Sequence, residues 1–215
     1  MKAVLIGATG LIGRALLKEL LLDDSFSEVK VLTRRSTELK HVKLSEEIVD
    51  FDQIKSSEIA LNFDVMFSTL GTTIKTAGTK ERQWEIDYDM QFNTAELASN
   101  AGTRKLVLLS SAGANAKSKV FYSRMKGELD EAVQNLKFKQ VSIIRPSMLA
   151  GNREEFRWVE KIFTPIMYAF SWVPGIRKYR PIKDVIVAKA MTNAAKNQEK
   201  SYAVYELQGV FDLAK

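Results

Sequence analysis

The sequence predicts an α/β fold, with a doubly wound parallel sheet and a small C-terminal helical elaboration. Two observations support this prediction. Short apolar runs alternate with longer segments of helical periodicity, a pattern typical of βαβ units around a parallel sheet. The first apolar run leads directly into a glycine-rich segment, Gly7–Gly13, as expected where a strand turns into a helix.

Each predicted strand is a short run of apolar or β-branched residues bounded by turn residues. The predicted strands are Lys2–Ile6, Val29–Thr33, Glu47–Phe51, Val65–Ser68, Lys105–Leu109, Val141–Ile144 and Ala203–Leu207. Beyond Gly151 the alternation weakens, and helical segments with aromatic residues follow.

The predicted helices show apolar stripes at helical spacing. The first runs from about Leu11 to Leu22, and Gly102 ends the second. The stripes are Ile12, Ala15, Leu16 and Leu20 in the first helix; Trp84, Tyr88, Phe92, Ala95 and Ala98 in the second; and Phe121, Met125, Leu129, Val133 and Leu136 in the third.

Length and composition indicate an ordinary globular protein. The chain has 215 residues, of which 46% are hydrophobic and 27% charged, a balance that argues against disorder. We expect one domain over residues 1–215, with residues 151–200 forming a small subregion that faces a substrate or partner.

The residue inventory excludes several kinds of site. Cysteine is absent and His41 is the only histidine, which excludes disulfide frameworks, zinc sites and cysteine nucleophiles. A Ser-His-Asp triad would have to use His41, which we expect to be solvated, and no metal site is predicted. The net charge of +6 is compatible with a phosphate-bearing ligand, nucleic acid or an anionic membrane.

The glycine-rich segment has the spacing GxxGxxG between a predicted strand and a predicted helix. Glycines there allow a tight turn and a close approach of the backbone to a diphosphate, which the first N–H groups of the helix can bind. The segment therefore predicts a dinucleotide site in a Rossmann fold.

The end of the second strand favours NADP(H) over NAD. An NAD site usually offers an acidic residue about 20 residues after the glycines, to bind a ribose hydroxyl. Here the strand ends in Arg34-Arg35. Two guanidinium groups can form charge-assisted hydrogen bonds to a 2′-phosphate.

A serine, a tyrosine and a lysine form a candidate catalytic set. Tyr122 and Lys126 are four residues apart, so both side chains lie on one face of a helix. A nearby ammonium stabilises the phenolate form, which lets the tyrosine hydroxyl exchange a proton closer to neutral pH. Ser110 and Ser111 follow the preceding strand, at the edge of the sheet where ligands bind.

Together, these motifs resemble those of the short-chain dehydrogenase/reductase superfamily. The resemblance is specifically to its atypical branch, the Tat-interacting-protein-like NAD(P)-binding oxidoreductases. The resemblance covers Met1 to about Asn152 well and the remainder loosely. The superfamily resemblance rests on GATGLIG, Leu70-Gly71, LLSSAGA, YSRMK and IIRPS. The closer match rests on Phe67–Thr73, Ala95–Ala98 and Lys126–Glu128. Many extended relatives carry asparagine where this chain has Asp87, which argues against a water relay through that position.

The resemblance implies roles for particular residues. Tyr122 would donate the proton, Lys126 would bind the nicotinamide ribose, and Ser111, being followed directly by Ala112, would be the catalytic serine. The implied cofactor contacts are Gly7, Thr9, Gly10, Leu11, Ile12 and Gly13 with the diphosphate, Arg34 and Arg35 with the 2′-phosphate, Asp50 and Phe51 with adenine, Leu70, Gly71 and Thr72 with the riboses, and the backbone of Arg145 and Pro146 with the carboxamide.

Two functional hypotheses follow. The first is an NADPH-dependent reductase of a small carbonyl compound. The second is an NADPH-binding regulator with little or no turnover, which contacts a protein through its C-terminal aromatic segment. Docking of Ile162–Ile176 on a membrane surface is less favoured than a role in core and pocket.

The remaining expectations concern partners and location. The uncharged run Ile162–Ile176 has 15 residues, which is too short to span a bilayer. No nucleic-acid-binding motif accompanies the basic residues. With neither cysteine nor a signal segment, we expect a cytoplasmic protein. The sequence leaves a homodimer or a protein partner open.

Overall fold

A computed structural model describes residues 1–150 and 180–215 of the chain. Its strands are β1 (Lys2–Ile6), β2 (Glu28–Thr33), β3 (Leu44–Ile48), β4 (Val65–Ser68), β5 (Lys105–Leu109), β6 (Gln140–Arg145), β7 (Leu149–Ala150), β8 (Ile182–Lys183) and β9 (Tyr202–Glu206). Over these residues, seven strands form one sheet in the order β3-β2-β1-β4-β5-β6-β9, and β7 pairs separately with β8.

Helices cover both faces of the sheet. The α-helices are α1 (Leu11–Leu22), α2 (Ile74–Ala77), α3 (Lys80–Trp84), α4 (Met90–Asn100), α5 (Phe121–Ala132), α6 (Asp184–Asn197) and α7 (Gln208–Leu213). A π-helical segment, Glu85–Asp89, joins α3 to α4. Two short 3₁₀ helices lie at Phe51–Ser56 and Val133–Asn135.

Every pairing in the large sheet is parallel. From β1 the chain moves outward through β2 to β3, and then returns to the other side of β1 with β4. This reversal of strand order is the switch point of a Rossmann fold, where ligands bind beyond the carboxyl ends of the strands. The predicted fold class is confirmed.

The core has two layers because successive strand residues point to opposite faces. Ala3 and Leu5 of β1 pack into the layer that contains α1 and α6. Val4 and Ile6 pack into the layer that contains α4 and α5. The sheet is therefore buried on both faces, which explains why its inner strands are nearly continuous apolar runs.

The predictions for the inner elements are confirmed residue for residue at β1, α1, β4 and β5. The predicted third strand was wrong by three residues. Strand β3 is an edge strand with mostly half-buried side chains, so it needs no apolar run. Asp50 caps the 3₁₀ helix that follows, and Phe51 is buried within it.

The single long helix predicted from Trp84 to Ala98 is interrupted by the π-helical segment. In that segment Asp87 is fully buried. Trp84 and Tyr88 stack with ring centroids 5.0 Å apart, and Tyr88 and Phe92 follow at 6.1 Å. The four-residue spacing of these aromatic residues in the sequence therefore reflects ring stacking as well as a helical stripe.

Part of the predicted C-terminal subregion, residues 151–179, lies outside the described residues, as does the run Ile162–Ile176. The division of the chain therefore stays a prediction. Within the described ranges, no helix has both the length and the apolar character needed to cross a membrane.

Gly127 seats helix α5 against the loop that precedes it. A Cβ at this position would stand 2.1 Å from the nitrogen of Ala116 and 2.2 Å from the carbonyl carbon of Asn115. We expect Gly127→Ala to lower the free energy of unfolding by about 1–3 kcal/mol, because backbone must move to admit the methyl group.

Urea denaturation measures this effect, with Gly209→Ala as the matched control. A Cβ at Gly209 meets open space, so alanine there should leave stability unchanged or raise it by up to about 1 kcal/mol. Equal losses in both variants would show that close packing of α5 is not the cause.

Candidate functional site

A cavity of about 540 Å³ opens at the carboxyl ends of β1, β4, β5 and β6. Four chain segments form most of its wall: residues 10–12, 69–74, 109–112 and 146–149. Gln83 and two residues of α5, Tyr122 and Lys126, complete the wall as far as it is described. The cavity thus lies at the switch point that the strand order creates.

The glycine-rich turn requires glycine at Gly7 and Gly13. Gly7 has φ +85°, and a Cβ on it would stand 2.6 Å from the carbonyl carbon of Thr69. A Cβ on Gly13 would stand 2.0 Å from the carbonyl oxygen of Gly7. Gly10 begins α1 without a side-chain cap, so the first N–H groups of the helix face the turn unsatisfied by a side chain.

The Lys126 ammonium is buried and compensated by Asp87. Lys126 is 3% exposed, and its Nζ lies 3.9 Å from Oδ1 of the fully buried Asp87. Burial acts to lower the pKa of Lys126, but Asp87, Tyr122 and Asp130 outweigh it, and the pKa is raised. Lys126 is therefore charged at neutral pH.

Tyr122 lies on the cavity wall one helical turn before Lys126. It is 38% exposed, and the Lys126 ammonium stands 6.0 Å from the centroid of its ring. The predicted pair on one face of a helix is therefore present. The Tyr122 ring is accessible to a ligand, whereas the Lys126 ammonium is buried.

The two serines after β5 differ in their partners. The Ser110 hydroxyl donates to Oδ2 of Asp130 at 2.9 Å, and the Arg145 guanidinium donates to the same oxygen at 2.9 Å. Burial raises the pKa of the Asp130 carboxyl, although Ser110 and Arg145 act in the opposite direction. The Ser111 hydroxyl makes a long contact, 3.5 Å, with the Ala112 carbonyl, and Ser111 lies on the cavity wall.

The sequence did not predict the roles of Gln83, Asp87 and Asp130. Asp87 Oδ1 accepts the N–H of Thr72 at 2.8 Å. The Gln83 amide donates to the Thr72 carbonyl at 3.1 Å and to Oδ2 of Asp87 at 3.3 Å. The signal was present as spacing, since Gln83 precedes Asp87 by four residues and Asp130 follows Lys126 by four.

Of the predicted site residues, the wall contains Gly10, Leu11, Ile12, Leu70, Gly71, Thr72, Ser111, Tyr122, Lys126 and Pro146. The others lie off this wall. Gly7 and Gly13 shape the turn, Thr9 lines a neighbouring cavity, Asp50 and Phe51 follow β3, and the Arg145 side chain turns to Asp130.

Arg34 and Arg35 are exposed at the carboxyl end of β2, on the same edge of the sheet as the glycine-rich turn. The Thr33 hydroxyl donates to the Arg35 carbonyl at 2.7 Å, which holds the backbone here. Asp52, which interacts electrostatically with Arg34, is paired with both terminal nitrogens of Arg82 at 2.8 and 3.1 Å.

Comparison with known proteins identifies the cofactor class of this site. A family model described as NAD(P)H-binding matches residues 7–161. Protein FMP52, mitochondrial, of Candida glabrata is 40% identical over 155 residues, 71% of this chain and 66% of that protein. Protein fmp52, mitochondrial, of Emericella nidulans is 37% identical over 166 residues, 74% of this chain and 71% of that protein.

A solved structure shows the same fold at low sequence identity. MoeE5 in complex with UDP-glucuronic acid and NAD superposes with a TM-score of 0.70 and 14% identity, covering 96% of this chain and 76% of that one.

The cytoplasmic location predicted from the sequence is contradicted, because the curated relatives are named mitochondrial proteins. The prediction relied on the absence of cysteine and of a signal segment. Those features bear on secretion and disulfide formation. They do not distinguish a cytoplasmic protein from one inside an organelle.

The ion pair between Asp87 and Lys126 should contribute to the stability of the fold. Asp87→Leu should lower the free energy of unfolding by about 3–5 kcal/mol, because it leaves the Lys126 ammonium buried without its counter-charge. Asp87→Asn should cost less, since an amide oxygen can still accept the Thr72 N–H.

Urea denaturation at pH 7 measures both variants and the double variant Asp87→Leu/Lys126→Met. Removing the ammonium as well should recover part of the lost stability. Additive losses in the double variant would contradict a charge pair between these residues.

Proposed function

We propose that this chain is an NADPH-dependent reductase of small carbonyl compounds. The chain belongs to the NAD(P)H-binding family that its sequence matches, an atypical branch of the short-chain dehydrogenase/reductase type. One observation carries the proposal. Tyr122 and Lys126 lie on the wall of the same cavity as the glycine-rich turn, so a hydride donor held by that turn would meet a proton donor.

The residues present fit a dinucleotide. The turn excludes any Cβ at Gly7 and Gly13, and the uncapped start of α1 offers N–H groups and the positive end of a helix dipole to a diphosphate. Residues 70–72 form the facing wall. When bound, the nicotinamide supplies the hydride.

The side chains of this chain supply proton transfer and orientation. The Tyr122 hydroxyl donates its proton to the carbonyl oxygen as hydride reaches the carbonyl carbon. The charged Lys126 stabilises the phenolate that remains. The Ser111 hydroxyl donates a hydrogen bond to the same carbonyl oxygen and orients it.

The choice of NADPH rests on the end of β2. Both side chains there are arginines, and Asp52 is already paired with Arg82, so its charge is compensated. Two guanidinium groups suit a 2′-phosphate, whereas a free carboxylate in this place would repel it.

Removing the two guanidinium groups tests this choice. Arg34→Ala/Arg35→Ala should weaken NADPH binding by about 10- to 100-fold and NADH binding by much less, because only NADPH carries the 2′-phosphate. Fluorescence titration measures both dissociation constants.

Arg104→Ala is the matched control. Arg104 is an equally exposed arginine that pairs with Asp64 at the opposite edge of the sheet, and its loss should affect neither cofactor. Equal weakening of NADPH and NADH by the double variant would overturn the assignment of the 2′-phosphate.

Removing the phenol hydroxyl tests the reaction. Tyr122→Phe should lower kcat for NADPH oxidation with a carbonyl substrate by about 10²- to 10⁴-fold, because the proton donor is lost, and leave NADPH affinity nearly unchanged. Tyr205→Phe, which changes a half-buried tyrosine away from the cavity, should retain full activity.

Two results would refute the reductase. One is equal turnover in Tyr122→Phe and the unchanged protein. The other is NADPH binding without oxidation across a panel of aldehydes and ketones, which would favour the alternative of an NADPH-binding regulator.

A further inference from the structure

The wall of the cavity that contains Tyr122 is largely apolar as far as it is described. Besides Leu11 and Ile12 of α1, six aliphatic residues line it, at the end of β5 or in the segments that follow β4 and β6. They are Leu70, Ile74, Leu109, Pro146, Met148 and Leu149. Hydroxyl groups and backbone of the same loops supply most of the remaining wall.

The described wall offers no free positive charge. Lys126 carries the only Lys, Arg or His side chain among the described residues that line the cavity. Its ammonium is 3% exposed and already faces Asp87. Away from the glycine-rich turn, a substrate carboxylate or phosphate would lose its hydration without gaining a positively charged partner among the described residues, which is costly.

Two of the aliphatic side chains are partly exposed to solvent. Ile74 is 44% exposed and Met148 is 40% exposed, although both border the cavity. They lie in α2 and in the loop after β6, so they reach the cavity from separate segments. Covering such groups with an apolar ligand is favourable in proportion to the area removed from water.

We propose that the site takes neutral carbonyl compounds with an extended apolar group, which lies against Ile74 and Met148 while the carbonyl oxygen meets Tyr122. This inference rests on the proposed function and narrows its substrate class. It excludes carboxylate-bearing and phosphate-bearing carbonyl compounds as preferred substrates. The cavity of about 540 Å³, which the substrate would share with the cofactor, is within the range of small-molecule sites.

A series of straight-chain aldehydes with four to ten carbons, reduced by NADPH and the full chain, tests the substrate class. We expect kcat/KM to rise by up to about fourfold for each added methylene until the apolar chain leaves the cavity. A terminal carboxylate on an aldehyde of equal length should lower kcat/KM by about tenfold or more.

Variants locate the effect. Ile74→Ser and Met148→Ser should flatten the dependence of kcat/KM on chain length, because each removes apolar surface from the entrance. Leu22→Ser is the matched control, since Leu22 is an 81% exposed leucine at the end of α1 and away from the cavity. It should leave the dependence unchanged.

A binding measurement separates this inference from the proposed function. Straight-chain amides of the same lengths do not accept hydride, and calorimetry in the presence of NADP⁺ gives their Kd. Affinity that rises with chain length, without reduction of any aldehyde, would refute the reductase and retain the apolar site. Reduction that is independent of chain length, or faster with the terminal carboxylate, would overturn the apolar site and retain the reductase.

Discussion

The buried ammonium of Lys126 is the constraint on which the floor of the cavity depends. A lysine that is 3% exposed is costly unless its charge is compensated. Asp87, fully buried and 3.9 Å away, provides the compensation and also accepts the N–H of Thr72. One carboxylate therefore ties helix α5 to the loop after β4. Because Tyr122 is on the same helix, this pair also determines where the phenol stands relative to the glycine-rich turn.

A second buried carboxylate organises the other side of the site. Asp130 accepts hydrogen bonds from Ser110 and Arg145, which follow β5 and end β6 respectively. It lies one helical turn after Lys126, so α5 presents phenol, ammonium and carboxylate in a row of increasing burial. The Ser110 hydroxyl donates to Asp130, and Ser111 also lies on the cavity wall. The site is thus held by ionic contacts between elements that are distant in sequence.

The Rossmann fold accounts for a cofactor site and leaves the reaction to the side chains around it. Close contact between Gly7, Gly13 and Thr69 brings the glycine-rich turn against the loop after β4, at the point where strand order reverses. Similarity to MoeE5 concerns this shared framework. In the proposed reductase, the chemistry would rest on Tyr122, Lys126 and Ser111. Selectivity would rest on the apolar wall and on the ion pair of Lys126, the one lysine among the described residues that line the cavity.

The sequence by itself determined the inner sheet, helix α1, the glycine-rich turn and the Tyr122–Lys126 pair. Each depends on neighbours within a few residues: continuous apolar runs, glycine spacing and the helical repeat. Only the tertiary structure decided the bounds of β3, the π-helical segment, and the roles of Asp87 and Asp130. An edge strand and a compensating carboxylate are defined by what packs against them from far along the chain. The four-residue spacings of Asp87 from Gln83 and of Asp130 from Lys126 are present in the sequence. They do not show that these carboxyl groups are buried, because the same residues in solvent would be ordinary polar surface groups.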